Sequence, residues 1–371
     1  MTPAGGEAPA GRVDLFVAYP ALIERIRGEE RLSDEDALIL LRSNDLLTLG
    51  LLAGERRRAA VPGRRVTYIV DRNINYTNVC VSGCRFCAFF RPPDSPEAYV
   101  LGTEDIVGKA RETLQLGGTG VMLQGGLHPE LDINYFERLF RTLKREVPSL
   151  DIHSLSPPEI VYIARLSGLG VRSTLERLRA AGLDSLPGGG AEILVDRVRR
   201  EVAPGKATAD EWIQVMREAH GLGMSSTATM MFGSIETLED RVEHLRRIRS
   251  LQDETGGFRA FIPWTFQEKN TPLEGRGSRA TGVEYLLMLA VSRLYLDNVR
   301  NIQASWVTQG LKVGQVALCF GANDMGSTMI EENVVRSAGV TFTAGQAELE
   351  HAIRVAGFTP VQRRTDYSEV G

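Results

Sequence analysis

From residue 66 onward, short apolar or β-branched runs alternate with stretches in which apolar residues return every three to four positions. Eight of the short runs read as strands, near 66–73, 119–124, 150–155, 183–186, 225–232, 258–265, 300–306 and 325–330. Helical periodicity fills the intervals, for example 103–116, 134–146, 208–222, 237–252, 282–298 and 309–319. Strand and helix in strict alternation make parallel β/α units. Eight in succession predict an α/β fold, a TIM-like (β/α)8 barrel, with a doubly wound open sheet as the alternative. No linker or low-complexity segment interrupts residues 66–365, which read as one catalytic domain.

Residues 14–65 have no strand pattern and read as a helical cap. In "LSDEDALILLRSND" (32–45), Ser33 is a ready N-cap and Asp34, Glu35 and Asp36 place negative charge in the first turn, where the helix dipole favours it. The stretch 1–13, rich in Gly, Pro and Ala, reads as a disordered tail, with neither the basic start nor the apolar core of a signal peptide. "VEYLLMLAVSRLYL" (283–296) is apolar, but Arg293 breaks it and it is too short to cross a bilayer.

Two expected strands carry polar residues at every second position. In "RNIQASWVTQG" Asn301, Gln303 and Ser305 share one face, and in "MSSTATMMFG" Ser225, Thr227 and Thr229 do. Barrel strands buried on both faces are mostly apolar. Polar positions aimed at the lumen therefore predict a hydrated cavity suited to a hydroxyl-rich ligand.

Composition narrows the function classes. The 371 residues are 43% hydrophobic and 24% charged with a formal net charge of -4, which argues against a nucleic-acid scaffold. Four cysteines are too few for a disulfide framework, and without an export signal or membrane span the expected location is cytoplasmic, with reduced thiols. Three of the four lie in "NVCVSGCRFCAFF" as Cys80, Cys84 and Cys87, directly after the first strand, where a barrel builds its active site. A structural zinc site wants four ligands, and no fourth is adjacent. Cys319, in the apolar "LKVGQVALCF", reads as a buried small hydrophobe, while His128 and His153 at other strand ends leave a mixed zinc site open. Three thiolates on a four-iron cluster would leave one iron open to a ligand. Downstream, "LQGGLHP" (123–129) and "SLPGGGAEIL" (185–194) are glycine loops at strand ends that free the backbone to approach a ligand.

C-x3-C-x2-C with Phe86 before the last cysteine resembles the signature of radical S-adenosylmethionine enzymes. Longer stretches, among them "SLSPPEI", "LPGGGAEILVDRVRR", "FRAFIPWTFQEKNTPL", "NIQASWVTQGLKVGQVAL" and "GANDMGSTMIEENVV", resemble the dehypoxanthine futalosine cyclases of that superfamily, over roughly residues 30 to 365. The resemblance implies a [4Fe–4S] cluster on Cys80, Cys84 and Cys87, whose open iron chelates S-adenosylmethionine, with Phe86, Gln124, Gly125, Gly126, Ser156 and Glu192 near that cosubstrate. It implies a 5′-deoxyadenosyl radical that takes hydrogen from C4′ of a ribose, closure of that carbon onto a benzoate ring, and loss of an electron and a proton. An unidentified one-electron donor is implied as partner, and neither nucleic acid nor membrane. Asn301, Gln303 and Ser305 are then candidates for ribose hydroxyls, and Arg91 and Arg259 for the benzoate. The base is open among His128, Glu159, Glu192 and Tyr76. The chain departs from the family pattern at Ser234, where a His is expected after "MMFG", and at Glu268, where Pro is frequent. Aminofutalosine synthase is the nearest rival; a non-catalytic metal or cluster protein and a tRNA-modifying enzyme are the more distant ones.

Overall fold

The computed structural model describes residues 13–277 and 280–370. All eight expected strand regions are present and parallel, and they close into a barrel. The first is split in two, β1 (Arg65–Ile69) and β2 (Asp71–Ile74), around Val70. It is followed by β3 (Gly120–Leu123), β4 (Asp151–Ile152), β5 (Ser185–Leu186), β6 (Ser225–Phe232), β7 (Phe258–Thr265), β8 (Asn301–Ile302) and β9 (Asp324–Ser327). β2 pairs with β3 and β3 with β4, and β5 through β8 pair in order. Single bridges join His153 to Ser185 and Gln303 to Asp324, and β9 returns to β1, which completes the circle.

One strand was not expected. β10 (Thr359–Gln362) pairs in parallel with β1, the lower half of the split first strand, Arg65 opposite Thr359 and Tyr68 opposite Gln362. Since the upper half of the same strand turns to β3, β10 fills the seam below that pair, and the Gln362 side chain donates to the Gly117 carbonyl at 2.8 Å.

The helical reading of residues 14–65 resolves into helices Leu15–Ala18, Pro20–Arg27, Asp34–Arg42 and Leu46–Ala60. Ser33 caps the third, its Oγ accepting from Asp36 N while the Asp36 carboxylate accepts from Ser33 N. Two of these helices pack on Gly282–Tyr295, the helix between β7 and β8. That contact explains the apolar run at 283–296: the helix is buried from Tyr285 to Tyr295 between barrel wall and N-terminal helices. Arg293 is buried with it and donates to the Gly321 and Arg300 carbonyls and to Asn323 Oδ1. Among the described residues no helix is long and apolar enough to cross a membrane. Residues 1–12 of the expected tail lie outside the described residues.

Two histidines outside the lumen, His220 against Phe258 and His244 against Phe261, tie the packing of other helices on the barrel wall to pH. Burial holds His244 down to about 3 and His220 down to about 4. Unfolding releases both toward an ordinary value near 6.5, so the unfolded chain binds more protons between these limits. Stability from this source is complete above about pH 6.5 and falls as pH drops, by about 1.4 kcal/mol per pH unit for each fully engaged histidine. We expect thermal midpoints to decline from pH 7 toward 5. In His244→Gln, whose amide oxygen can still accept from Leu194 N, that slope should flatten by about one proton. Equal slopes in the two proteins would remove His244 from the account.

Candidate active site

The barrel encloses a cavity of about 370 Å³ that runs from the loop after β2 down the lumen. Cys80, Cys84 and Cys87 all line it. The Ser82 hydroxyl sits between two of the thiols, 3.0 Å from Cys80 Sγ and 3.1 Å from Cys84 Sγ, and Leu127 N donates to Cys80 Sγ at 3.3 Å. Burial pushes the Cys84 thiol up to about 11 and raises Cys87 as well. Protonated thiols bind no metal, so loading the loop must displace protons. Zinc would draw its thiolates to about 2.3 Å from one centre. Among the described residues no three Cys, His, Asp or Glu side chains are grouped as a single ion would need. Three thiols lining one cavity, two of them flanking the Ser82 hydroxyl, are a donor set that suits a four-iron cluster with one iron left open.

The "QGG" loop after β3 is pressed against the cysteine loop. A Cβ on Gly126 would lie 2.1 Å from the Val79 carbonyl oxygen and 2.7 Å from Cys80 Cβ, and one on Gly125 would lie 2.7 Å from the Tyr76 ring. No side chain fits at either position. Glu159 holds the arrangement: its Oε1 accepts from Gly125 N at 3.0 Å and from the Tyr76 hydroxyl at 2.8 Å, and its Oε2 accepts from Ser156 N at 2.7 Å and Ser156 Oγ at 2.6 Å. Ser156 is the N-cap of helix Pro157–Leu166, and Ser156 with Glu159 forms its capping box. The carboxylate thus joins the Gly-Gly loop, the Tyr76 strand end and a helix start, with both oxygens doubly engaged.

In the loop after β5, Glu192 lines the cavity with backbone φ +41°. Its carboxylate accepts from Lys206 Nζ at 2.9 Å and more distantly from Arg199 Nη1 at 3.4 Å. Lys206 lies 5.0 Å over the Phe86 ring; burial alone would lower its ammonium, but the neighbouring Cys84 and Glu192 charges raise it above the usual lysine value. Thr227 and Thr229 from β6 line the lumen, as their alternation predicted, and bind Gly188 N and O at 2.9 and 2.7 Å.

The remaining sequence candidates divide. Phe86, Gln124, Gly125, Gly126, Ser156, Glu159, Gln303 and Ser305 line the same cavity as the thiols. His128 does not; its Nδ1 accepts from Glu130 N at 3.1 Å beside a separate small recess. Tyr76 is spent on Glu159. Asn301 lies below the lumen and bonds the Arg259 carbonyl and Asn323, because β8 ends at Ile302 and the chain turns into helix Trp306–Gln309. Arg91 secures the cysteine loop by donating to the carbonyls of Ala88, Phe89 and Phe90 at 3.1, 3.3 and 2.9 Å. Arg259 reaches the Asp366 carbonyl on the outside. Cys319 is exposed in a 3-10 turn, contrary to its reading as a buried hydrophobe. Neither Ser234 nor Glu268 lines the cavity: Ser234 binds the Glu236 carboxylate and Glu268 accepts from Gly275 N. Sequence reasoning missed Lys206, whose signal was a lone lysine after "VAPG", and Arg363, which enters the lumen directly after the unexpected strand β10.

Comparison with known proteins agrees with this geometry. Residues 74–248 match the model of the radical SAM superfamily, and residues 255–370 that of the CofH/MqnC C-terminal region. The chain is 47% identical to the cyclic dehypoxanthine futalosine synthase of Streptomyces coelicolor, over 94% of this chain and 88% of that protein. It is 44% identical to a 5-amino-6-(D-ribitylamino)uracil–L-tyrosine 4-hydroxyphenyl transferase of Methanopyrus kandleri, over 86% and 88%. The fold is that of methylornithine synthase, with a TM-score of 0.73 at 22% identity over 91% of this chain and 97% of that one.

Proposed function

Because the chain belongs to the radical S-adenosylmethionine superfamily, in the family that its cyclase and hydroxyphenyl-transferase relatives share, we propose that it converts dehypoxanthine futalosine to the cyclic product, a step of menaquinone synthesis. The observation that carries the reading is that three thiols, two glycine loops and a hydroxyl-bearing wall share one cavity. When bound on Cys80, Cys84 and Cys87, the cluster with S-adenosylmethionine supplies a 5′-deoxyadenosyl radical for hydrogen abstraction at the ribose. The protein's own share is placement. Gly125 and Gly126 offer backbone to the methionine end, with Gln124, Ser156 and Glu192 around the nucleoside. Thr227, Thr229, Gln303 and Ser305 face the ribose hydroxyls. Phe89, Phe90, Trp264 and Trp306 exclude water and hold the aromatic ring against the sugar in near-attack geometry. Of the four candidate bases, Glu192 keeps a role in proton acceptance: Glu192 and Glu159 both line the cavity, but Glu159 is engaged by four donors including the Tyr76 hydroxyl, and His128 faces elsewhere.

The transferase relatives favour a second reading, addition of a hydroxyphenyl group from tyrosine to a ribityl-aminouracil. The two separate in one assay. Anaerobically reconstituted, reduced protein is given S-adenosylmethionine with either dehypoxanthine futalosine or the tyrosine and aminouracil pair. Chromatography with mass detection should find 5′-deoxyadenosine and a product lighter than dehypoxanthine futalosine by two hydrogens. Product from the tyrosine pair alone would establish the transferase.

A further inference from the structure

Beyond β10 the chain turns back into the lumen. Arg363, Thr365 and Tyr367 line the cavity while Arg364 and Asp366 face solvent, a two-residue alternation that carries every second side chain inward. Arg363 is clamped at the floor: Nε and Nη2 donate to the two oxygens of Asp324 at 2.5 and 3.0 Å, and Nη1 to the Arg364 carbonyl at 3.2 Å. Its guanidinium carbon stands 3.9 Å from the centre of the Tyr367 ring and pins it. Tyr367 itself is held at φ +68°, a conformation uncommon outside glycine, within a turn closed by Tyr367 N to Arg364 O at 3.1 Å and Arg364 N to Ser368 O at 2.8 Å. For all this support its hydroxyl is buried and has no hydrogen-bond partner among the described residues. Strain and an unpaired buried hydroxyl together are a cost that packing alone does not explain.

The surroundings indicate what the hydroxyl would meet. Two buried carboxylates stand by the single guanidinium of Arg363, Asp71 in the cavity lining and Asp324 behind it in the ion pair, and burial already pushes Asp71 up to about 6. A carboxylate ligand would add a third negative charge, whereas a neutral hydroxyl adds none and can both donate and accept. We propose that Tyr367 is a specificity-determining residue: its ring lines the cavity floor beside Arg363, and its hydroxyl, buried and unpartnered among the described residues, turns to hydrogen-bond the hydroxyl-bearing sugar end of the substrate. This rests on the cyclase reading and orients its substrate with the sugar hydroxyls toward the floor.

Tyr367→Phe removes the hydroxyl and little else. In the cluster-loaded enzyme with S-adenosylmethionine, KM for dehypoxanthine futalosine should rise about 3- to 10-fold, with kcat changed far less. The penalty that wild type shows for a 2′- or 3′-deoxy analogue should vanish in the variant for the hydroxyl that Tyr367 reads. The thermal midpoint without substrate should not fall. An unchanged KM, or a lowered midpoint with discrimination among the analogues intact, would overturn the proposal. The parent reading is checked separately, by substrate quenching of fluorescence from the cavity tryptophans Trp264 and Trp306 in wild type. No binding and no turnover by wild type would sink the cyclase reading and this proposal with it, whereas wild-type turnover with an indistinguishable variant sinks only the role of Tyr367.

Discussion

Cys84→Ala is expected to give a folded protein that no longer acquires its cluster. After anaerobic reconstitution the broad thiolate-to-iron absorbance should be missing and 5′-deoxyadenosine formation should fall to background. Cys84 is 3% exposed and its sulfur touches the Ser82 hydroxyl, so the substitution leaves a small void, worth about 1 kcal/mol of stability. The loss of activity would therefore far exceed the loss of fold. Cys319→Ala supplies the control: that thiol is exposed, away from the cavity lining, and both cluster and activity should survive its removal. Iron retained by Cys84→Ala, or lost from Cys319→Ala, would refute the assignment of three ligands.

The second large effect is expected at Glu159, for a different reason. Its carboxylate accepts from two backbone amides and two hydroxyls, and none of those four donors has another acceptor among the described residues. Removing a shared acceptor strands several buried donors at once, so Glu159→Ala should cost at least about 3 kcal/mol. At about 2.1 cal/mol/K of unfolding entropy per residue, each kcal/mol moves the midpoint of a 371-residue chain by roughly 1.3 °C, so the thermal midpoint should fall by about 4 °C or more. Because Gly125 N is one of the donors, the surviving folded protein should also bind S-adenosylmethionine more weakly, which equilibrium binding would register. Tyr76→Phe breaks only one of the four bonds and should cost about 1 kcal/mol. A Glu159→Ala protein that melts and binds like wild type would show that the network carries no energy. The residue was read from sequence as a candidate base; the geometry makes it a positioning group, since a carboxylate with every lone pair engaged has little left for a proton from substrate.

What could be read in advance follows from the range over which each signal acts. Strand regions with strong periodicity, such as 225–232 and 258–265, match their observed bounds, because alternation along eight residues is a local property. The expected strand 300–306 shrinks to Asn301–Ile302, since the turn into the following helix is set by Ser305 N bonding the Tyr285 hydroxyl of the preceding helix. That long-range contact also explains why Asn301 and Gln303, neighbours on one face in the alternation, end at different heights. The thiol cluster was legible from spacing alone. The cationic residues were not: Arg91 and Arg259 stood near motifs, yet their guanidinium groups are occupied by backbone carbonyls, and the two basic side chains that reach the cavity, Lys206 and Arg363, come from segments without local pattern. β10 escaped because "TPVQRR" has a proline, no alternation of its own and a partner at the far end of the chain.

That distant pairing has a kinetic consequence. Arg65 and Thr359 stand nearly the whole chain apart, and the contact that seals the seam beneath β2 and β3 is among the most non-local in the molecule. The entropy of closing so long a loop is met only when the rest of the barrel already holds the two ends near each other. The lower edge of β1 therefore stays unpaired until late in folding, an open template for another chain. Refolding at high protein concentration should accordingly lose material to aggregation at this stage, while a slow final phase, seen as protection of the β1 amides from hydrogen exchange, reports the arrival of β10.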